Sequence, residues 1–201
     1  MKKLLLGLSF ISCQVIISQS LSSEEQFKVN KKLIDTVWMN DVNRGKTALR
    51  EGADINIKCK NGFTLLYAAI ASDALEVVEL LIEHGVDINA QDDRGYTPLD
   101  MAAHYRRLEI AKLLIAHGAD VNVKNGDGNT PLHKVAAECY VEFATLLIAH
   151  GADINAKNNE GLTPLDLVPQ GKNFMVVGGQ DMIDLLTQHS VEAKSDSWWL
   201  W

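Results

Sequence analysis

Thr97-Pro98-Leu99-Asp100-Met101-Ala102-Ala103 and Thr130-Pro131-Leu132-His133-Lys134-Val135-Ala136 are two copies of one pattern, set 33 residues apart. A third copy opens at Thr163-Pro164-Leu165, and Thr64 stands in the same register. Outward from these stretches the period persists. Gly62, Gly95, Gly128 and Gly161 keep it, as do Gly52, Gly85, Gly118 and Gly151. Asn56, Asn89, Asn122 and Asn155 keep it too, and so do Asp54, Asp87, Asp120 and Asp153. Chance does not hold five residue classes in register over four copies, so the chain is read as an array of repeats.

Each repeat spells the same local structure. Thr before Pro caps a helix, with the hydroxyl accepting a backbone N–H and Pro at the first helical position. Leu99, Ala102 and Ala103 then share one side of a short helix, and the alanines admit a close neighbour. That neighbour is the 108–117 stretch, apolar at Ile110, Leu113 and Leu114. Gly118 ends it in the left-handed conformation that helix C-termini favour. Residues 120–128 form an extended hairpin with a Gly-rich turn. The Asn at each hairpin base (Asn89, Asn122, Asn155) is expected to bond the backbone of the neighbouring repeat. One repeat cannot bury its own apolar face, so stability comes from neighbour interfaces.

The Thr-Pro-Leu-His start, the period, and Leu113-Leu114-Ile115-Ala116-His117-Gly118-Ala119-Asp120-Val121-Asn122 resemble the ankyrin repeat, over about residues 30–190. The resemblance implies an all-α, elongated, slightly curved solenoid of stacked helix-turn-helix repeats with projecting β-hairpin loops. It also implies that His133 ties neighbouring repeats by hydrogen bonds. Asp100, Asp166 and Tyr67 replace that His elsewhere, so weaker or rearranged bonding is expected there.

Five repeats can be placed. Residues 30–57 form a degenerate N-terminal cap, in which Arg44 and Gly45 stand where later copies have Val77-Val78, Ile110-Ala111 and Phe143-Ala144. That substitution reads as a polar outer face. Repeats 58–90, 91–123 and 124–156 are complete. The last, 157–190, is a C-terminal cap. Leu165 to Leu185 is 20 residues, against 14 from Leu66 to Leu80, which places a six-residue insertion within 169–180. Pro169 ends the first helix of that repeat early. Residues 191–201 form a Trp-rich tail ending in Trp198-Trp199-Leu200-Trp201. Exposed aromatics at that density need a surface to pack on. Two readings stand, a lid on the last repeat or an anchor to a partner or membrane interface.

The N-terminus is a different kind of sequence. Lys2 and Lys3 precede an uncharged run, Leu4 to Ile17, and Ser18-Gln19-Ser20 follows. This describes a signal peptide over 1–20, with 21–29 a linker. The apolar run is too short to span a bilayer. Phe10-Ile11-Ser12-Cys13 keeps a second reading open, a lipidated Cys13. Membrane association is expected only through that lipid or the Trp tail. Export makes a disulfide conceivable, but Cys59 and Cys139 lie two repeats apart, beyond bridging distance. Both are expected as free thiols.

Composition narrows function. The chain has 201 residues, 47% hydrophobic and 22% charged, with net charge −7. An acidic chain lacks the basic face that a phosphate backbone requires, so no nucleic-acid partner is expected. His84, His117 and His150 precede helix-ending glycines in successive repeats. Repeats about 10 Å apart cannot bring them to one metal, whose ligands sit near ~2.1 Å, whereas His suits a helix C-terminus. No metal, cofactor or catalytic residue is expected. A thiol nucleophile at Cys139 with His133 is the only enzyme reading, and no third group or oxyanion arrangement accompanies it. Gly126-Asp127-Gly128-Asn129 is a turn lacking a calcium loop's acidic series.

Positions that stay constant between copies serve the stack, and positions that vary are free for recognition. The varying ones are Phe63, Tyr96, Asn129 and Leu162 after each turn Gly, Arg94 before one, and Met101, His104, Tyr105, Lys134 and Glu138 on first helices. By the family resemblance, hairpin tips and this helix face line a concave binding groove. Phe63, Tyr96, Met101 and Tyr105 are its expected centre, the alternative being that Phe63 and Tyr96 pack on a neighbouring hairpin. Arg94, Arg106 and Arg107 are cations suited to an acidic partner segment. The reading is a monomeric, exported, non-enzymatic adaptor for another protein, periplasmic or extracellular. A lipid-anchored structural envelope protein is the alternative.

Overall fold

A computed structural model describes residues 24–169 and 178–195. The expected signal peptide, Cys13, most of the expected insertion and the Trp tail lie outside the described residues. Two compact blocks make up the chain, the first ending at Ala119 and the second starting at Asp120.

In the N-terminal block, α1 (Glu24–Met39) opens with Glu24 and Glu25 in its first turn, where acids favour the helix dipole. It therefore takes up residues 24–29, where the sequence reading places a linker. Asn30, Leu33, Ile34, Thr36 and Val37 form its buried stripe. Asp41 caps α2 (Val42–Arg50) by accepting from the Arg44 N–H at 3.0 Å. Next come α3 (Leu65–Ala71) and α4 (Leu75–Glu83), then α5 (Pro98–His104) and α6 (Leu108–Ala116). Each pair packs on itself, and α3 packs between α1 and α5. Leu66, Ile70, Leu81, Ile110 and Leu114 are fully buried or nearly so, each contributing roughly 2 kcal/mol of transfer free energy. Gly45 is buried rather than part of a polar outer face. A Cβ there would lie 2.6 Å from Leu80 Cδ2 and 2.8 Å from Thr36 Cγ2, so the absent side chain lets the helices meet.

The C-terminal block repeats the plan with α7 (Pro131–Ala137) and α8 (Val141–Ala149). Its last first-helix shrinks to a single 3₁₀ turn at Leu165–Leu167, followed by Val168 in extended conformation ahead of Pro169. The closing helix is α9 (Gly179–Ser195), with Met182 and Leu186 buried.

Local geometry follows the 33-residue period closely. Asn40, Asp73, Arg106 and Cys139 end the first helices of the first four repeats with φ of 49°, 59°, 58° and 55°. None is a glycine, though this region favours it. Second helices end at His84, His117 and His150, whose Nδ1 atoms meet the carbonyls of Leu80, Leu113 and Leu146 at 2.8 to 2.9 Å. The loops that follow are turns. Among the described residues no strand forms, and the expected β-hairpins reduce to one antiparallel bridge between Lys58 and Thr64.

The turns pin themselves with side chains. Asp92 Oδ1 accepts from the N–H groups of Arg94 and Tyr96, both at 2.9 Å. Asn125 does the same for Asp127 and Asn129, and Asn158 for Glu160 and Leu162. Cys59 occupies this register without an equivalent acceptor, and there the chain passes through Asn61 at φ 77°. Neighbouring repeats are linked as expected from the hairpin-base asparagines. Asn56 Oδ1 accepts from Asp87 N–H at 3.1 Å and Asn89 Nδ2 donates to Gly118 O at 3.2 Å. In the C-terminal block, Asn122 accepts from Asp153 N–H at 2.8 Å and donates to Gly151 O at 2.9 Å.

One cysteine assignment is corrected. Cys139 is a buried free thiol, but Cys59 is disulfide-bonded rather than free. The two do not pair with each other, as their separation by two repeats implies.

Candidate binding surface

The capping residues set where the variable side chains stand. Thr97 N–H and Oγ1 both donate to Asp100 Oδ2, at 2.8 and 2.9 Å, and Thr97 Oγ1 accepts from Asp100 N–H at 3.2 Å. This capping box fixes the start of α5 and hence Met101, His104 and Tyr105 further along it. Thr163 and Asp166 repeat the device, and its hydrogen bonds hold the Asp166 carboxyl below the usual carboxylate range.

His133 does two tasks in one buried position. Its Nδ1 accepts from Thr130 N–H at 3.1 Å, and its Nε2 lies 3.0 Å from Leu162 O in the following repeat. Donation to that carbonyl assigns the proton to Nε2. Burial keeps the imidazole neutral, pushing its pKa below the ordinary His value. In the same register, Tyr67 reaches forward instead. Its hydroxyl donates to Ala90 O at 3.0 Å and closely approaches Tyr96 O. Burial, with Asp92 and Asp100 nearby, holds the phenol well above its ordinary pKa. At Tyr67 the bonding is thus rearranged rather than lost, whereas Asp100 and Asp166 bond the Thr that starts their own helix.

Within the N-terminal block the expected site residues come together in pairs. Arg94 is exposed and its guanidinium lies 5.3 Å from the ring centre of half-buried Tyr96. His104 and Tyr105 meet edge to face at 4.9 Å. Phe63 packs on Tyr67 with centroids 5.5 Å apart, so it is partly a packing residue. Met101 is half-buried on α5. Arg106 and Arg107 sit at the far end of α5 from Tyr96. Arg107 pairs with Asp73 at 2.9 Å, beside a 450 Å³ cleft shared with Leu75 and Glu76.

In the C-terminal block the expected residues are engaged internally. Lys134 pairs with Glu138 on α7. Asn129 Oδ1 accepts from Asn158 Nδ2 at 2.9 Å, and the Leu162 carbonyl is held by His133. This surface meets its own polar needs, whereas the N-terminal one presents half-buried aromatics, Tyr96 beneath Arg94 and Tyr105 against His104.

Two residues of this surface escaped the sequence reading. Trp38 and Met39 are 40% and 61% exposed, the exposed large hydrophobics among the described residues. They occupy the register of Ala71-Ser72 and His104-Tyr105. The period carried back one repeat was the signal that would have found them.

Chemistry finds little foothold. The Cys139 thiol is 6% exposed and burial pushes its pKa up, away from the reactive thiolate. Both ring nitrogens of His133 are already engaged. Among the described residues no group of three His, Cys, Asp or Glu could hold a metal ion, and no helix is long and apolar enough to cross a membrane.

Comparison with family models places this geometry. A model described as ankyrin repeats (3 copies) matches residues 33–125, and one described as ankyrin repeats (many copies) matches residues 114–168. A search of curated proteins finds no match. Register, capping, inter-repeat hydrogen bonds and both matches lead to one conclusion: the chain belongs to the ankyrin-repeat family.

Proposed function

We propose that this protein is an exported, non-enzymatic adaptor that binds a partner protein through the surface of hairpin tips and first helices. Ankyrin repeats generally mediate protein–protein interaction and are typically not enzymes. The observation that supports the site reading is the set of half-buried aromatic and sulfur side chains in the N-terminal block. Tyr96 under Arg94, Met101, and His104 against Tyr105 present rigid, amphipathic area, the kind that dominates interface energetics. Phe63 supports this set from beside Tyr67. Asn129, Lys134, Glu138 and Leu162 present a more polar equivalent in the C-terminal block.

Affinity capture with tagged protein from the native compartment tests the reading. Tyr96→Ala and Tyr105→Ala should each weaken capture of the same partner at least about tenfold. Capture untouched by both changes rejects the assignment. Export rests on the 1–20 sequence, and mass spectrometry of the N-terminus tests it. A start near Leu21 excludes a lipid on Cys13, whereas a lipidated Cys13 supports the envelope-anchored alternative.

A further inference from the structure

We infer that Tyr67 is a positioning residue of the partner surface: its ring seats Phe63 for contact, and it does so while leaving its own helix start uncapped. This rests on the surface reading above and gives one residue of that surface its support.

His133 shows what the register otherwise asks of this position. Its Nδ1 accepts from Thr130 N–H at 3.1 Å and from Thr130 Oγ1 at 2.9 Å, and its Nε2 meets Leu162 O, 29 residues on, at 3.0 Å. Tyr67 performs only the forward half. Its hydroxyl closely approaches Tyr96 O, also 29 residues on, and its ring carbons offer no acceptor to the helix start behind it. Thr64, 2% exposed, therefore opens α3 without a side-chain cap and with Oγ1 unpartnered. Thr97 and Thr163 each bond an aspartate three residues on. A buried hydroxyl left without a partner destabilises, so tyrosine here works against its own helix.

The forward bond does not account for the tyrosine. An imidazole makes the same bond in the C-terminal block. Nor does Tyr96 depend on it, because Asp92 N–H donates to Tyr96 O at 3.0 Å and Asp92 Oδ1 accepts from Tyr96 N–H at 2.9 Å. What the phenol ring adds is its contact with Phe63, centroids 5.5 Å apart and planes tilted by 53°. Tilted aromatic pairs at this separation attract beyond the area they bury.

Phe63 needs that contact more than its counterparts do. The N–H groups of Tyr96, Asn129 and Leu162 are each held by the Asp or Asn that opens their turn. The turn before Phe63 opens instead on Cys59, which is disulfide-bonded and has no side-chain oxygen. A backbone bond from Cys59 N–H to Phe63 O at 2.7 Å closes this turn, and Tyr67 holds the ring. The residue with the least help from its own turn is the one given an aromatic neighbour. A half-buried phenylalanine fixed before binding spares the ordering that a loose one would require on contact.

Two variants of the full chain separate ring from hydrogen bond. Tyr67→Phe keeps the ring and loses the hydroxyl. Tyr67→His keeps a forward donor, regains the acceptor for Thr64 and loses the reach to Phe63. Fluorine NMR of chains labelled with 4-fluorophenylalanine reads the Phe63 ring, its signal assigned in each chain by its loss in Phe63→Leu. The signal should stay in place in Tyr67→Phe although the urea midpoint falls. In Tyr67→His it should move toward that of an exposed phenylalanine, with a midpoint above that of Tyr67→Phe. Against the partner captured by the tagged chain, Phe63→Ala should lose about tenfold in affinity, Tyr67→His about threefold, and Tyr67→Phe nothing measurable. An unmoved Phe63 signal in Tyr67→His overturns the proposal. So does a Tyr67→His chain that unfolds more readily than Tyr67→Phe or fails to fold, since Tyr67 then serves the fold. If Phe63→Ala weakens capture and Tyr67→His does not, or if Tyr96→Ala weakens it and Phe63→Ala does not, the surface stands and the positioning role falls. Capture indifferent to Phe63→Ala, Tyr96→Ala and Tyr105→Ala alike rejects the surface itself, and the positioning role with it.

Discussion

At one register of the repeat, the N-terminal block places a phenol and the C-terminal block an imidazole. Both reach forward to backbone carbonyls, Tyr67 to Ala90 O at the end of its own repeat and to Tyr96 O in the next, and His133 to Leu162 O in the following repeat. They differ in what else they do. His133 also accepts from Thr130 N–H and so caps its own helix, whereas Thr64 Oγ1 is buried without a hydrogen-bond partner. The same stitch is therefore made with a helix start secured in one block and left less satisfied in the other. It also follows that the two blocks answer to opposite ends of the pH scale.

The largest expected effect separates the stitches directly. His133→Ala removes a buried acceptor and donor together and leaves a cavity, which should cost about 3 kcal/mol. Tyr67→Phe removes only a hydroxyl and should cost about 1.5 kcal/mol. Urea unfolding of the two variants measures both, and equal losses would erase the distinction.

Glycines sharpen the comparison inside the C-terminal block. Gly128 has φ of 77°, and a Cβ there would lie 2.7 Å from Asn159 N and 2.4 Å from its Oδ1. Gly151 has φ of 85° with nothing within 4 Å. Gly128→Ala should cost about 2–3 kcal/mol, combining left-handed strain with overlap against a neighbouring turn. Gly151→Ala should cost about 1 kcal/mol, from strain alone. Thermal melts of the pair would show whether contact between turns adds to backbone strain.

The pH dependence is smaller at any one pH and carries a sign for each block. The folded-state pKa of His133 is lowered, so its contribution is complete above the unfolded value of about 6.5. As pH falls below that, the unfolded chain binds a proton that the folded chain refuses. Stability should then drop by at most about 1.4 kcal/mol per pH unit until the folded pKa is reached. For Tyr67 the folded pKa is raised, so stability is intact below about 10 and declines as pH rises beyond it. Urea midpoints across pH should lose their acid slope below 6.5 in His133→Gln and their alkaline slope in Tyr67→Phe. Retained slopes would assign the titration to other groups. Smallest of all, Lys134→Ala should change stability by less than about 0.5 kcal/mol, because its pair with Glu138 is half-exposed on a single helix.

Much of this fold was legible because register carries physics. Thr-Pro placed the helix starts of α5 and α7, and the glycines placed the ends of second helices. The N-terminal repeat was harder to see. Its first helix lacks Thr-Pro and begins with acids at Glu24, so the period placed a cap over 30–57 but not the helix start six residues earlier. Gly45 looked like a polar interruption because sequence alone does not show Leu80 and Thr36 closing over it. The candidate site, still a proposal, was legible only as a list of positions that vary between copies. Variation between copies picked out Tyr96, Met101 and Tyr105. It did not distinguish them from Asn129, Lys134 and Glu138, whose polar groups find partners within their own block. Trp38 and Met39 share the register of His104 and Tyr105, but they sit on a first helix without a Thr-Pro start, so the motif does not point to them.

The left-handed residue that closes each of the first four first helices has a consequence for trimming the array. Asn40, Asp73, Arg106 and Cys139 each hold a backbone state that a free peptide bearing these side chains rarely visits. Only the clasp of the two helices beside it keeps that joint bent. A single helix pair excised from its neighbours would relax at the joint and come apart, so shortening the chain ends in collapse well before the last pair is reached.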